Sequence, residues 1–366
     1  MVLGVTQRRG YVPALDGLRA LAVLAVVMSH CWPQALPGGW IGVDVFFVLS
    51  GYLITSILVA EHERTGRISF RIFYTRRALR LLPALAVTLV LGVLIAYLLY
   101  PASAGDTVRE AFAAAFYVAN WLVTSGQVHS GLLVHTWTLS IEEQFYWTWP
   151  IVLYLLFACG GRRAALAATV ALVGLVLVHR ITGVPGAYFR TDTRADSLLI
   201  GCGIALAAPM GVFHRLPMTV VRGAAVAAAA SLLAMLAVVQ QASLLMTGFG
   251  YTLIGIASAT IVVAVAVRPL GFVVRALELR PLTWIGRRSY GVYLYHPLCL
   301  ALLAPRLGIE GPPAFLGTLA LSLGAAAASF RYVEAPFLRL KDRAMVQRRS
   351  ATVAVKPGSQ FRSLFS

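Results

Sequence analysis

Long apolar runs separated by short polar segments recur along the whole chain. A membrane-crossing helix needs about 20 mostly apolar residues, and ten runs meet that length: 14–32, 41–60, 81–100, 139–158, 164–181, 196–212, 220–240, 246–267, 289–305 and 313–331. An eleventh stretch, 111–124, is apolar but short and reads as a re-entrant or interfacial helix. The expected fold class is therefore all-α: a polytopic membrane helical bundle of about ten transmembrane helices. The first run carries Asp16 and Arg19, and no small-residue cleavage site follows it, so it reads as a retained helix rather than a cleaved leader.

Composition agrees with this pattern. Of 366 residues 59% are hydrophobic and only 12% charged, whereas a soluble domain carries about 25% charge. Mean hydropathy is +0.79. A water-soluble globule, a disordered chain and a free nucleic-acid-binding domain are excluded. The 31 Lys and Arg against 14 Asp and Glu leave a net +17, which fits loops that orient helices and touch anionic lipid. With both termini cytoplasmic, 25 of the 31 cations fall on the inner side. Five lie outside (Arg109, Arg180, Arg190, Arg194 and Arg306), and Arg19 lies within a helix. That bias supports an even number of spans. Residues 1–340 form the expected membrane domain and 341–366 a basic, disordered cytoplasmic tail. Cys31, Cys159, Cys202 and Cys299 are widely spaced within or beside apolar runs and read as packing residues.

Ionisable groups inside hydrocarbon are costly and mark function. Arg19 and His30 are eleven residues apart, about 1100° or three turns plus about 20°, so they share one helix face about 16 Å apart. A permanently charged guanidinium suits a phosphate, and an imidazole suits proton abstraction. The pair therefore predicts an elongated ligand, anionic at its inner end and reacting at its outer end. Further polar blocks follow: GGWIGVDVFFVLSGYLI with Asp44 and Ser50, FYTRRALRLLPAL with Arg76, Arg77, Arg80 and Pro83, HTWTLSIEEQFYW with Glu143, RADSLLIGC with Arg194 and Asp196, IGRRSYGVYLYHP with Ser289, Tyr290, Tyr293 and His296, and RYVEAP with Glu334. No metal-ligand spacing stands out.

These six ordered blocks, with the R-x(10)-H pair before them, resemble the acyltransferase-3 family of integral membrane O-acyltransferases over about residues 11–337. The resemblance implies transfer of an acyl group, most often acetyl, from acyl-CoA to a hydroxyl of a glycan, lipid-linked sugar or macrolide-type acceptor. The location implied is a bacterial cytoplasmic membrane. His30 matches the family's essential histidine and Arg19 its partner arginine. Asp44, Phe46, Phe47, Ser50 and Gly51 match one block. Arg76, Arg77, Arg80 and Pro83, and Glu143, Gln144, Phe145 and Tyr146, match two others. Arg194, Asp196, Ser289, Tyr290, Tyr293, His296 and Glu334 match later positions. Members often carry an extra extracytoplasmic hydrolase-like domain, and this chain resembles the form without one.

The expected scheme places CoA phosphates on Arg19, Arg76, Arg77 and Arg80, and the thioester near His30. His30 then acts as general base or forms an acyl-histidine. Asp44 or Glu143 would orient His30. Duller readings stand beside these. The arginine cluster could grip anionic lipid, Glu143 and Asp196 could be structural ion-pair partners, and His296 could be a satisfied core residue. His129, His135, His179 and His214 read as loop or interface residues, with His135 a candidate for an acceptor entrance. Trp137, Trp147 and Trp149 read as interfacial anchors more readily than as a sugar platform. The rival function is a transporter or flippase of an amphiphilic substrate, against which stands the lack of a transporter-type internal repeat.

Overall fold

The computed structural model describes residues 11–128, 131–239, 246–307 and 310–339. The expected tail, 341–366, lies outside the described residues, as does His129. Among the described residues thirteen α-helices run in chain order: α1 Pro13–Cys31, α2 Gly42–Thr65, α3 Phe70–Leu99, α4 Ala104–Ala115, α5 Ala119–Thr124, α6 Trp137–Ile181, α7 Thr191–Ala207, α8 Met218–Val238, α9 Tyr251–Val262, α10 Gly271–Leu277, α11 Arg280–Arg287, α12 Ser289–Leu307 and α13 Pro312–Ser329. No strand occurs among the described residues.

Seven helical stretches among the described residues are long and apolar enough to cross a membrane: Pro13–Cys31, Gly39–Thr65, Phe70–Leu99, Val134–Ile181, Met218–Val238, Gly248–Val267 and Pro312–Arg339. This is a membrane protein. Two of the ten expected spans, 139–158 and 164–181, run together in the 45-residue α6, which breaks at Gly161 where φ is +67°. A side chain strongly disfavours that backbone region, and glycine does not. The expected helix over 111–124 is instead two pieces. Tyr117, at φ +56°, separates α4 from α5, and α4 starts earlier, taking in Asp106, Thr107 and Glu110.

The bundle closes around α2 and α7. A Cβ on Gly51 would lie 1.9 Å from the Leu198 carbonyl oxygen, and one on Gly201 would lie 2.1 Å from that of Val48. Only glycine at both positions lets the two backbones cross so closely, the usual route to tight packing where lipid supplies no hydrophobic drive. The contact encloses two buried ion pairs. Arg194 donates to Asp44 at 2.9 Å and Arg180 to Asp196 at 2.9 Å, and all four side chains are fully buried. Both arginines were expected as outer-loop cations. They lie inside the bundle because each finds a carboxylate there, without which a buried charge would not be tolerated.

Candidate active site

His30 sits in the last turn of α1. Its Nδ1 lies 2.8 Å from the Val26 carbonyl oxygen. An oxygen acceptor there assigns the ring proton to Nδ1, so Nε2 carries the lone pair. The side chain is exposed, and the space it meets is a cavity of about 350 Å³ lined by His30, His135, Trp40, Trp137, Tyr188 and Tyr293, among others.

Two more imidazoles stand beside it. His296 lies 5.0 Å from His30 between ring centroids, and His135 lies 5.7 Å from His296. The position of His296 follows from its neighbour. Pro297 has no N–H, so the Tyr293 carbonyl loses its helical donor, and His296 Nδ1 donates to that oxygen at 2.7 Å. His296 Nε2 then stays buried without a partner. His296 is thus only half satisfied, fully buried and in ring contact with both His30 and His135.

His135 was expected in a loop, and it is 7% exposed in the cavity wall. It arrives there because α4 holds the preceding chain. Glu110 accepts the Leu133 N–H at 2.7 Å and Thr107 Oγ1 accepts that of Leu132 at 3.2 Å. A Cβ on Gly131 would sit 2.0 Å from Glu110 Oε2. Glu110 lies outside the membrane-crossing helices, and burial pushes its carboxyl up to about 7, against the backbone hydrogen bonds that lower it.

The expected orienters of His30 do not touch it. Asp44 Oδ1 is taken by Arg194 at 2.9 Å and Ser197 at 3.1 Å. Glu143 is taken by Arg77 at 2.7 Å. Each carboxylate is bound to a cation of its own, and the Val26 carbonyl fixes the His30 ring instead. Arg194 and Asp196 likewise do not pair with each other. Arg194 joins Asp44 and stacks 3.9 Å from the Tyr251 ring, while Asp196 takes Arg180 and the Thr252 hydroxyl. Asp44, Arg194 and Asp196 therefore hold α2, α6, α7 and α9 together.

The remaining residues form a second cluster toward the other end of α1. Arg19 donates to Asp16 at 2.7 Å. Arg77 packs 3.4 Å over the Tyr146 ring besides binding Glu143. Arg80 is exposed yet lies within electrostatic reach of Arg19, Arg77 and Glu334. Arg76 is exposed on α3. Ser50 donates to Glu142 at 2.7 Å, and Glu142 faces both Arg77 and Arg19. Glu142 did not figure among the expected site residues. Its sign was the doubled Glu142–Glu143, the only acidic residues of α6. Tyr290 donates to the Leu81 carbonyl at 3.1 Å, Ser289 is buried, and Glu334 accepts from Ser329 at 3.2 Å. No group of His, Cys, Asp or Glu fit to hold a metal occurs among the described residues.

His30 and the two imidazoles beside it thus stand at one end of α1 and Arg19 with the other arginines at the other, and comparison with known proteins gives the family. The model of the acyltransferase domain matches residues 12–331. The chain belongs to the acyltransferase-3 family. It is 36% identical over 351 residues, 90% of this chain and 56% of the relative, to the peptidoglycan O-acetyltransferase OatA of Listeria monocytogenes. To the O-acetyltransferase OatA of Staphylococcus aureus it is 33% identical over 350 residues, 89% of this chain and 57% of the relative. To the putative peptidoglycan O-acetyltransferase YrhL of Bacillus subtilis it is 37% identical over 328 residues, 84% and 51%. This acyltransferase-3 chain thus spans about half the length of the curated relatives it matches. No solved structure matches it.

Proposed function

We propose that the protein is a ten-span O-acetyltransferase of a bacterial cytoplasmic membrane, with both termini cytoplasmic, that moves an acetyl group from acyl-CoA to a hydroxyl of an envelope glycan. The observation that carries this reading is His30: Nδ1 tied to Val26, and the Nε2 lone pair beside a cavity of about 350 Å³. The names of the relatives support a glycan acceptor over a macrolide-type one.

The donor phosphates lie at the inner end, against Arg19, Arg76, Arg77 and Arg80, whose guanidinium forks match phosphate oxygens. The thioester lies at the outer end, about 16 Å along α1. His30 Nε2 takes the acceptor O–H proton as that oxygen attacks the thioester carbonyl carbon. The C–S bond breaks, sulfur leaves with the electron pair, and the imidazolium returns the proton to it. The products are an O-ester, a free CoA thiol and neutral His30. The Val26 carbonyl, by fixing the Nδ1–H tautomer, plays the orienting part that the carboxylate plays in a catalytic triad. Glu142 and Glu143 hold Ser50 and Arg77 in place, and so set the arginine cluster rather than the base.

Incubation of the purified protein with labelled acetyl-CoA and a glycan hydroxyl tests the reading. Label transfer with thiol release is expected, and His30→Ala should cost at least about 100-fold in kcat while the protein still elutes as a folded species. Flux of a substrate without CoA consumption, or full activity in His30→Ala, would refute it.

A further inference from the structure

The cavity beside His30 has a wall that the transfer chemistry alone does not require. Trp40 and Trp137, each 5% exposed, border it together with Tyr188 and Phe189. The rings brace one another: Trp137 is tilted 4.8 Å from Tyr188 and edge to face 5.1 Å from Phe189, and Trp40 is edge to face 5.8 Å from Tyr188. Trp137 therefore lines a cavity rather than anchoring at the membrane surface, whereas Trp147 is 47% exposed and Trp149 donates to Thr55 in the core.

Polar atoms complete the wall. His135 lines the cavity, and neither of its ring nitrogens has a partner in hydrogen-bond geometry, although the Leu294 backbone lies nearby. Leaving a buried polar group unpaired costs about 1–3 kcal/mol. An imidazole that keeps one donor and one acceptor free is complementary to hydroxyl groups, which offer both. A lipid chain in the same space would leave both His135 nitrogens unpaired. A pyranose would not: its C–H face, slightly positive, suits the negative face of an indole or phenol, and its hydroxyls offer His135 both a donor and an acceptor. The volume lies in the lower part of the range of about 300–1,000 Å³ typical of small-molecule sites.

Resting on the acyltransferase reading, we propose that this cavity is the acceptor subsite, that it takes one sugar ring, and that Trp137 and His135 determine its specificity, Trp137 by stacking on the ring and His135 by holding a hydroxyl other than the reacting one. His30 faces the ring's reacting hydroxyl.

Transfer from labelled acetyl-CoA to methyl glucopyranoside, and to sorbitol as a ring-free polyol, tests the proposal in the full-length protein. The pyranoside should be the better acceptor by at least tenfold in kcat/KM. Trp137→Ala and His135→Ala should raise the pyranoside KM at least tenfold with a smaller change in kcat. Trp137→Phe, which keeps an aromatic face, and His135→Gln, which keeps a donor and an acceptor, should restore KM to within about threefold. Equal use of sorbitol and the pyranoside, or alanine variants whose loss lies in kcat alone, would overturn the subsite, as would alanine variants that act like the unsubstituted protein. Those outcomes leave the acyltransferase reading standing. Absence of transfer to any hydroxyl, with His30 intact, would overturn the acyltransferase reading itself.

Discussion

A guanidinium shut away from water survives only with a carboxylate beside it, and Arg194 is held by Asp44 at 2.9 Å and by the Tyr251 face at 3.9 Å. Asp44→Asn removes the negative charge and leaves the cation buried, so the protein should lose about 3–5 kcal/mol, read as a lowered midpoint of denaturant unfolding in detergent. Replacing both partners, Asp44→Leu with Arg194→Met, should recover most of that loss, because no charge is then left unpaired. Arg77 makes a different case. It both binds Glu143 and stacks on Tyr146, and lysine has no planar fork to do the two together. Arg77→Lys should therefore raise the acyl-donor KM by about tenfold with the fold intact, and steady-state kinetics at varied acetyl-CoA would show it.

Between elements, backbone proximity decides most. Gly201→Ala places a methyl 2.1 Å from the Val48 carbonyl oxygen, so α2 and α7 must part and the Asp44–Arg194 pair must stretch. A large fall in thermal midpoint is expected, greater than for Gly203→Ala on the same helix, where a Cβ meets open space. The clasp between α4 and the chain before His135 depends on pH. Glu110 is held up to about 7 in the fold, above the ordinary value near 4.3 it regains when unfolded. The folded state thus binds the extra proton between about 4.5 and 7. Its stability should decline as pH rises through that window and level off above it, by on the order of 3–4 kcal/mol. Thermal midpoints from pH 4 to 8 should show this slope, and Glu110→Gln should flatten it.

At the scale of the whole molecule, polar chemistry gathers at the two ends of α1 and apolar surface covers the rest. Leu98 at 78% exposed, Val238 at 72% and Leu233 at 66% are ordinary positions for side chains that meet lipid. Among the four cysteines Cys159 is exposed, while Cys31, Cys202 and Cys299 are buried. The proposed orientation, with cytoplasmic termini, puts Cys159, beside Arg162 and Arg163, on the inner side. A membrane-impermeant maleimide should label it in inside-out vesicles and not in intact cells, and labelling of intact cells would reverse the proposed orientation.

The linear chain was enough for the class of the molecule and for its family. Runs of about 20 apolar residues can only be membrane helices, and R-x(10)-H places two side chains on one face whatever surrounds the helix. It could not assign partners. Asp44 and Glu143 were candidates to orient His30 because carboxylates orient imidazoles. Which carboxylate meets which cation depends on how helices remote in sequence cross, and that is set by contacts as local as Gly51 on Leu198. The same holds for His135, brought to the cavity by Glu110 from 25 residues earlier, and for Trp137, whose neighbours Trp40 and Tyr188 lie far along the chain in both directions. Periodicity and covalent spacing act within one element and can be read from the sequence. Burial, pairing and the shape of an empty space arise between elements, and only the packed bundle decides them.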